Sequence, residues 1–230
     1  VRHSPQGKSF RYLELAYEWY SALRCQGLDI DIVGPDAPLD GYSAVFVPTM
    51  PIIPDDFIER ISALDCPVLL GPRTGSKSES FCIPDQLPPG KLKEIIPITV
   101  TRVESLREGV REDGDGWTVS RWREDISSEL EPELALSDGR GIVYRAGDIR
   151  YCGAWADAQL LDTLIARICD EAGLDRLSLP EGLRIRRSAT HFFAFNYSTD
   201  VIDTSTLTLG EPVVGETRVP PAGVSIWAIA

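Results

Sequence analysis

The first periodic stretch of the chain predicts a helix over residues 9–26, SFRYLELAYEWYSALRCQ. Ser9 can cap its first turn, because a serine hydroxyl accepts a backbone N–H there, and Gly27 follows as a stop signal. The apolar positions at helical spacing are Leu13, Ala16, Tyr20 and Leu23. One face of this helix is therefore apolar.

The second periodic stretch predicts the clearest helix of the chain, WADAQLLDTLIARICDEAG over residues 155–173. Asp157 can cap its start and Gly173 can end it. The apolar stripe consists of Leu160, Leu161, Leu164, Ile165 and Ile168.

Between these helices, shorter apolar runs predict strands. LDIDIV (28–33) alternates apolar with acidic residues, SAVFVPTM (43–50) is more continuously apolar, and CPVLLG (66–71) is typical of a buried strand. PDDFIERISAL (54–64) predicts a short helix, with acids in the first turn where the helix dipole favours them. Strands and helices at these intervals indicate an α/β fold with a mainly parallel sheet and crossover helices.

The middle of the chain is less regular. Residues 72–94 are polar and rich in proline and glycine, which predicts a long loop. IIPITVTRVESL (95–106) resumes an extended pattern. Residues 116–153 contain several short alternating runs, which we expect to form strands that return to the sheet.

The C-terminal part of the chain has a different pattern and a different charge. Residues 183–230 contain four short alternating runs, LRIRRS, HFFAFNYS, STLTLG and SIWAIA, and no helical signal. Four arginines balance four acidic residues there, so the net charge of −12 lies in residues 1–182. We therefore expect an α/β domain over residues 1–180 and a small antiparallel all-β domain, a sandwich or barrel, over residues 181–230.

Composition excludes several classes of function. The net charge of −12 argues against nucleic acid, which requires clustered lysine and arginine, and no apolar run is long enough to span a bilayer. The five cysteines form no CxxC pair, which is typical of reduced thiols in a cytoplasmic protein. With His3 and His191 as the only histidines, a zinc site is not expected, and no cofactor motif is present.

The loop GPRTGSK (71–77) leaves a predicted buried strand, and its glycines suggest a phosphate-binding loop. A P-loop has the pattern GxxxxGK[ST] and opens a helix. Here Gly71 and Gly75 have three residues between them, and Pro72 removes an amide that would face the phosphate. The polar, proline-rich residues that follow cannot continue as a helix, so a phosphate-binding loop is not expected.

The same loop has the frame of a nucleophile elbow, G-x-[Ser/Cys]-x-G, in which the central residue attacks the substrate. Arg73 occupies that central position. A guanidinium is always protonated and cannot attack a carbonyl, and His191 is expected to be a strand side chain rather than a general base. The sequence therefore predicts no esterase or amidotransferase activity here, and turning of the loop alone would also explain the two glycines.

The other residues that could serve catalysis or sugar binding, the acids and the tryptophans, are scattered along the chain. The 35 acidic residues lie mostly at helix starts, in turns and on alternate faces of strands, and nothing marks two of them as a buried, opposed pair for glycoside hydrolysis. The five tryptophans are Trp19, Trp117, Trp122, Trp155 and Trp227. They could form a sugar-stacking platform, but tryptophan is more typical of a core or an interface.

The order of these segments resembles the trimerisation domain of the family-42 glycoside hydrolases, the bacterial β-galactosidases. YLELAYEWYSALRCQGLDIDIVGPDAPLDGYSAVFVP resembles its start, and VLLGPRTGSKSE continues the match. IRYCGAWADAQLLDTLIARICDEAG resembles its last strand and helix, and LPEGLRIRRSATHFFAFNYS resembles the start of the family's small C-terminal β domain. The ordered series covers nearly the whole chain, although no single motif is diagnostic.

This resemblance implies a three-layer, flavodoxin-like domain similar to class I glutamine amidotransferases without their catalytic triad. The two catalytic glutamates of such enzymes lie in an N-terminal (β/α)8 barrel, which needs about 250 residues of its own. This chain of 230 residues has no room for that barrel, and its start without methionine fits a piece of a larger enzyme. No catalytic residue is therefore transferred to this chain.

We accordingly expect a non-catalytic segment of a β-galactosidase-like enzyme, located in the cytoplasm, that forms a homotrimer through heterologous contacts.

Two alternatives remain. A stand-alone enzyme of the same fold would bind an anionic ligand through Arg73, Ser76 and Lys77, with Cys82 nearby in sequence. A carbohydrate-binding module would need tryptophans coplanar on one face. Arg73, Ser76 and Lys77 are also the candidate interface residues.

Overall fold

The structure, a computed structural model, describes residues 10–207 and 209–229, and these fall into two compact units. The first unit contains the described residues up to Trp19 together with Val33–Leu174. The second contains Tyr20–Ile32 and the described residues from Asp175 onward. Within the described part of the chain, none of the helices has the length and apolar character that crossing a membrane requires.

The regular elements are short. The α-helices are α1 (Tyr12–Cys25), α2 (Phe57–Ser62) and α3 (Ala158–Glu171), and 3-10 turns span Gly90–Glu94 and Ser205–Leu207. The strands of the first unit are β1 (Val45–Val47), β2 (Val68–Leu70), β3 (Ile98–Ser105), β4 (Glu112–Asp113), β5 (Thr118–Val119), β6 (Trp122–Ser128), β7 (Leu134–Ala135), β8 (Gly141–Ala146) and β9 (Ile149–Cys152). Those of the second are β10 (Leu183–Arg187), β11 (His191–Asn196), β12 (Ile202–Asp203), β13 (Arg218–Val219) and β14 (Val224–Ala228).

The main sheet of the first unit has the strand order β1-β2-β9-β8-β7. The pairs β1–β2 and β2–β9 are parallel, whereas β9–β8 and β8–β7 are antiparallel. The predicted α/β class is confirmed, but the sheet is mixed rather than mainly parallel. The reason is local: β8 and β9 are joined by a tight turn through Gly147, at φ +59°, and a hairpin connection forces antiparallel pairing.

Part of the middle region forms its own β structure. β3 is present as predicted, but it pairs with β6 in a separate two-stranded ribbon, and β4 pairs with β5. The expectation that the strands of residues 116–153 return to the main sheet is therefore wrong for β5 and β6 and correct for β7, β8 and β9. β6 does approach that sheet, because Glu124 N–H donates to Gly153 C=O at 2.7 Å.

The strand predicted over residues 28–33 is absent, since no ladder forms there. Leu28 is buried, but Ile32 is 83% exposed, so the alternating pattern does not mark a face that packs on a core. Residues 28–32 instead lie in the second unit, where Arg24 donates to the Leu28 carbonyl at 2.7 Å.

The predicted details of α3 are confirmed. Asp157 caps the helix, because its Oδ1 accepts the Leu160 N–H at 2.8 Å, and its Oδ2 accepts both the N–H and the hydroxyl of Thr118. Gly173 follows the helix with φ +63°, which a residue with a side chain rarely adopts. All five residues of the predicted apolar stripe are buried.

The first helix, α1, is also present, but its buried face differs from the predicted stripe. Leu15 and Trp19 are buried, whereas Leu13 is 79% exposed. Gly27 ends the segment at φ +73°, as predicted, while the cap expected from Ser9 lies outside the described residues. The helix therefore carries apolar side chains on more than one face.

Each unit has its own core. The core of the first unit joins α2, the loop before β3 and the sheet, and its buried members include Phe57, Ile61, Val68, Leu70, Leu92, Ile96, Ile98 and Tyr151. The second unit has an antiparallel sheet in the order β10-β11-β14, so the expected β-rich C-terminal region is confirmed. The hydrophobic core of the second unit contains Leu183, Ile185, Phe192, Ala194, Ile202, Leu207 and Trp227. Of the strand predicted at STLTLG, the first three residues form the 3-10 turn Ser205–Leu207 instead, and residue 208 lies outside the described residues.

Candidate functional site

The loop at residues 71–77 follows β2 directly and is hydrogen-bonded to residues 47–51. Gly75 N–H donates to the Met50 carbonyl at 2.9 Å, and Lys77 N–H donates to the Pro51 carbonyl at 2.9 Å. Gly71 N–H donates to the Val47 carbonyl at 2.8 Å. A phosphate-binding loop needs amides that point at the ligand. Here those amides are already paired with carbonyls, which agrees with the rejection of a P-loop.

Both glycines are required by close backbone packing. A Cβ at Gly71 would lie 2.0 Å from the Pro48 carbonyl oxygen. A Cβ at Gly75 would lie 2.2 Å from the Pro89 oxygen, and Gly75 also has φ +72°. The glycine spacing of GPRTGSK thus reflects the approach of two backbone segments rather than a cradle for an anion.

Arg73 has the backbone of an elbow residue. Its φ of +65° lies in the left-handed region, which costs a residue with a side chain on the order of 1 kcal/mol. Its N–H donates to Glu124 Oε1 at 2.9 Å, which holds the residue in this conformation. The elbow frame inferred from the sequence is therefore matched by a strained backbone at its central residue.

The Arg73 side chain is packed among aromatic rings instead of being presented to solvent. Its guanidinium carbon lies 4.5 Å from the centroid of the Phe10 ring and 5.9 Å from that of Trp122. Phe10 in turn makes edge contacts with Trp122 at 5.1 Å and with Trp155 at 5.4 Å. Only 5% of Arg73 is exposed, so the position that a nucleophile would occupy is filled by a buried cation.

Glu124 on β6 supplies the opposite charge. Its Oε2 accepts the Tyr151 hydroxyl at 2.7 Å, while Oε1 accepts the Arg73 amide, so both carboxylate oxygens are engaged. Burial raises the pKa of Glu124 to about 7, and the hydrogen bonds from Tyr151 and Arg73 partly oppose that rise. Burial likewise lowers the pKa of Arg73, and Glu124 opposes this.

Ser76 and Lys77 lie in the same loop, and both are buried. The Lys77 ammonium is 5.7 Å from the centroid of the Phe81 ring, and Phe81 also has a left-handed backbone, at φ +62°. The structure thus brings together the three residues singled out from the sequence, Arg73 and these two, and encloses all of them. Their role in ligand binding or in an interface stays a prediction.

The side chains needed for covalent catalysis are not assembled around this loop in the described part of the chain. Cys82 is exposed, and its Sγ lies 3.8 Å from the Ser80 carbonyl oxygen. Burial raises the pKa of Cys152 to about 12, which keeps that thiol protonated. His191 lies on β11, as predicted, with Nδ1 at 2.8 Å from the Thr190 hydroxyl. Among the described residues there is no cluster of three or more potential metal ligands.

The tryptophans do not form a surface platform, because every one of the five is at least 97% buried. Trp155 illustrates their role: its indole N–H donates to Glu18 at 2.7 Å, and Arg121 stacks on its ring at 4.5 Å. A sugar-stacking surface built from tryptophan, which the carbohydrate-binding alternative requires, is absent from this structure.

Sequence reasoning did not identify Glu124 or Tyr151. A signal for Glu124 was nonetheless present, because it alternates with Trp122 and Ile126 along β6 and so takes a position where an apolar residue is expected. A carboxylate at such a position needs a buried partner. The partner, Arg73, is 51 residues away in sequence, and only the fold brings the two together.

The structure thus defines an α/β unit built on a mixed sheet, with an elbow-like turn after a parallel strand, followed by a β-rich unit. Residues 1–175 match the family model described as the β-galactosidase trimerisation domain, and the chain belongs to this family. The β-galactosidase of Thermus thermophilus is 43% identical over 227 residues, covering 97% of this chain and 35% of that protein.

Solved structures agree with this assignment. The β-galactosidase of the psychrophilic Marinomonas ef1 superposes with a TM-score of 0.92 at 35% identity, covering 98% of this chain and 35% of that chain. The β-galactosidase of the Antarctic haloarchaeon Halorubrum lacusprofundi has a TM-score of 0.85 at 30% identity, covering 98% of this chain and 37% of that chain. The chain therefore spans about a third of the length of the relatives it matches.

Proposed function

We propose that this chain is the assembly segment of a larger β-galactosidase and that it joins copies of that enzyme into a homotrimer. The observation that carries the proposal is the match of residues 1–175 to a trimerisation domain, combined with relatives of which the chain covers about a third. In this proposal an N-terminal (β/α)8 barrel of the same protein carries the catalytic glutamates and hydrolyses terminal β-galactosides. The segment itself contributes no catalytic residue.

The geometry of the elbow supports a non-catalytic role. A nucleophile elbow works by exposing its central side chain above the sheet. Here that side chain is a cation that is buried against Phe10, while Glu124 accepts the backbone N–H of the same residue and acts electrostatically on its guanidinium. We infer that the site descends from a catalytic frame of the amidotransferase type and now stabilises the loop.

Three finer features belong to the same proposal. We propose a three-layer, flavodoxin-like arrangement for residues 1–180 and a separate small β domain for residues 181–230; the family match over 1–175 supports this division. We also propose a cytoplasmic location, supported by five cysteines that are all free thiols. The net charge of −12 supports the absence of nucleic acid and of anionic membrane surfaces among its partners.

We further propose that Arg73, Ser76 and Lys77 serve the subunit interface indirectly. All three are buried within this chain, so they would act as the base on which the following loop residues are presented. Lys77 illustrates this, because its ammonium supports the Phe81 ring.

Light scattering on the purified 230-residue chain, together with a chromogenic β-galactoside assay, tests the proposal. We expect a mass three times that of one chain and no hydrolysis. A chain that remains a monomer at every concentration would contradict assembly through this segment. Hydrolysis that persists after further purification would contradict its non-catalytic role.

A further inference from the structure

Buried cationic side chains in the described part of the chain are held by polar partners, with one exception. Arg123 and Arg150 form ion pairs with carboxylates. Arg24 donates to two backbone carbonyls, and Arg73 has a buried carboxylate as its electrostatic partner. Such partners are expected, because lysine and arginine are almost never fully buried unless their charge is paired. The exception is Lys77, which is 7% exposed.

Lys77 has no acidic partner in this structure. Its ammonium lies 5.7 Å from the centroid of the Phe81 ring, and no described residue forms an ion pair or a hydrogen bond with that ammonium. Glu79, the nearest acid in sequence, is exposed. Positions 1–9, 208 and 230 hold no aspartate or glutamate, so every acidic side chain of the chain lies in the described part. The chain therefore supplies no acidic side chain as the countercharge of Lys77.

The Phe81 ring compensates the charge of Lys77 only in part. An ammonium beside an aromatic ring gains less than it loses when it is taken out of water. Phe81 itself is 47% exposed, so the ammonium lies close to the surface of the first unit. An anion from outside the chain therefore has a short path to Lys77.

Two buried hydroxyl groups of the same turn also lack hydrogen-bond partners among the described residues, those of Ser76 and Thr49. Ser76 precedes Lys77 directly, and Thr49 lies in the segment whose Pro51 carbonyl accepts the Lys77 N–H. Buried hydroxyls are nearly always hydrogen-bonded, so both indicate a further polar group at this turn. The two segments follow the carboxyl ends of the parallel strands β1 and β2, where open α/β sheets commonly bind ligands.

The charges at the turn select the chemical class of that group. The amides of Gly75 and Lys77 already donate to carbonyls, so they are not available to phosphate oxygens. The charge of Arg73 faces that of Glu124, which leaves the positive charge of Lys77 to be balanced. A group with a single negative charge balances it, whereas a phosphate group carries about two. The matching class is a carboxylate, which also accepts hydrogen bonds from hydroxyl groups.

From these observations we infer that Lys77 binds a carboxylate from outside this chain. The ion pair forms between the Lys77 ammonium and the carboxylate oxygens, and Ser76 and Thr49 supply hydroxyl groups at the same turn. Two sources carry this chemistry, a dissolved organic acid and an acidic side chain of another copy of the chain. The inference goes beyond the proposed assembly function and does not depend on it.

Nuclear magnetic resonance of the 230-residue chain with 13C-labelled lysine tests the inference. The lysines are Lys8, Lys77, Lys91 and Lys93, so the Cε signals are few, and Lys77→Met identifies the relevant one. Lys77→Arg identifies it if Lys77→Met does not fold. Sodium acetate is the probe; it replaces sodium chloride at constant ionic strength and pH 8, and acetamide is the uncharged control. Urea denaturation in the same solutions measures how acetate changes stability.

We expect the Lys77 signal to shift with acetate until it saturates, and acetamide to leave it in place. Acetate should also raise the free energy of unfolding relative to chloride, because a ligand that binds only the folded state stabilises it. Lys77→Met should weaken the apparent affinity for acetate at least about tenfold, as the loss of a charged hydrogen bond typically does. Lys91→Met is the matched control and should leave the affinity unchanged, because Lys91 is exposed and paired with Asp55.

Dilution of the protein distinguishes the two sources. If the carboxylate belongs to another copy, the Lys77 signal shifts without acetate as the assembly dissociates, and acetate weakens assembly in light scattering. If it belongs to a dissolved acid, the signal does not depend on protein concentration and responds to acetate throughout.

Two outcomes would overturn the inference. One is a Lys77 signal that moves with neither acetate nor dilution, and the other is an acetate effect on stability that Lys77→Met retains in full. A chain that stays monomeric at every concentration but binds acetate at Lys77 would contradict the assembly function and support this inference.

Discussion

Arg73 combines two features that each carry a cost, a left-handed backbone and a buried charge, at a position where a nucleophile elbow holds its nucleophile. The aromatic contact with Phe10 and the charge of Glu124 offset these costs. Removing one member of a buried pair leaves the other charge uncompensated, which is more destabilising than the pair itself is stabilising. We therefore expect Arg73 and Glu124 to act as one structural unit.

Replacing Arg73 by methionine tests this coupling. Arg73→Met keeps most of the side-chain volume but leaves Glu124 without its countercharge, so at pH 8, where Glu124 is mostly ionised, we expect a loss of about 3 kcal/mol in the free energy of unfolding. In a Glu124→Gln background the same change should cost about 1 kcal/mol or less. Urea denaturation of the four proteins gives the coupling energy.

The matched control is Arg102→Met, which removes an arginine whose side chain is 68% exposed and paired with Glu104. We expect this change to alter stability by less than about 0.5 kcal/mol. Equal losses at Arg73 in the two backgrounds would show that the two residues act independently.

Glu124 should also make stability depend on pH. Its pKa in the folded protein is about 7, above the ordinary value of 4.5, so the protonated form is favoured by folding. This contribution is fully present below pH 4.5 and is lost as the pH rises through 7. Between pH 5 and pH 8 the unmodified chain should lose about 2.5 kcal/mol more than Glu124→Gln, as chemical denaturation at both pH values would show.

The comparison with Glu124→Gln isolates this one carboxyl group from all others that titrate in the same range. The groups that face Glu124 are Arg73, Tyr151 and Cys152, and only Arg73 is charged over that pH range. If the two proteins lose the same stability between the two pH values, Glu124 is ionised throughout in the folded state.

At the level of elements, α3 shows a connection that depends on one side chain. Asp157 caps the helix and also accepts two hydrogen bonds from Thr118, so it joins the helix start to β5. Capping alone explains the choice of aspartate at this position. The link to Thr118, 39 residues away, is an additional reason.

Asp157→Ala should reduce the free energy of unfolding by about 2 kcal/mol, because it removes a cap and leaves two donors of Thr118 without their acceptor. Gln159→Ala, at an exposed site in the same turn, is the control and should change stability by less than about 0.5 kcal/mol. A thermal or urea transition measures both. An unchanged stability in Asp157→Ala would mean that water replaces the carboxylate at no cost.

Elements with strong local signals could be predicted from the sequence, and those that depend on distant partners could not. α3 has a cap, an apolar stripe and a terminal glycine, all within 17 residues, and each was confirmed. The run at residues 28–33 alternates correctly for a strand, yet no neighbouring strand pairs with it. β6 has a strand pattern, but the pattern does not specify β3 as its partner.

The same distinction holds for the candidate site. Arg73 could be found from the sequence because the elbow frame is local, and its unsuitability for catalysis follows from its chemistry alone. Its enclosure by Phe10 and Trp122 and its pairing with Glu124 could not be found, because these contacts join segments far apart in the chain.

For the whole molecule, the most direct observation is that the central residue of the elbow-like turn is a buried arginine, while large apolar side chains such as Leu13 and Ile83 are exposed at the surface. Surfaces of this kind are costly in an isolated chain and favourable in an assembly. The family match to a trimerisation domain supports assembly as the purpose of the fold. Activity would then reside elsewhere in the larger protein.

Sedimentation equilibrium of the unmodified 230-residue chain, over a wide range of protein concentration, tests this claim most directly. We expect a monomer–trimer equilibrium in which the mass approaches three times that of one chain as concentration rises. A mass that stays at one chain throughout, or that stops at two chains, would contradict it.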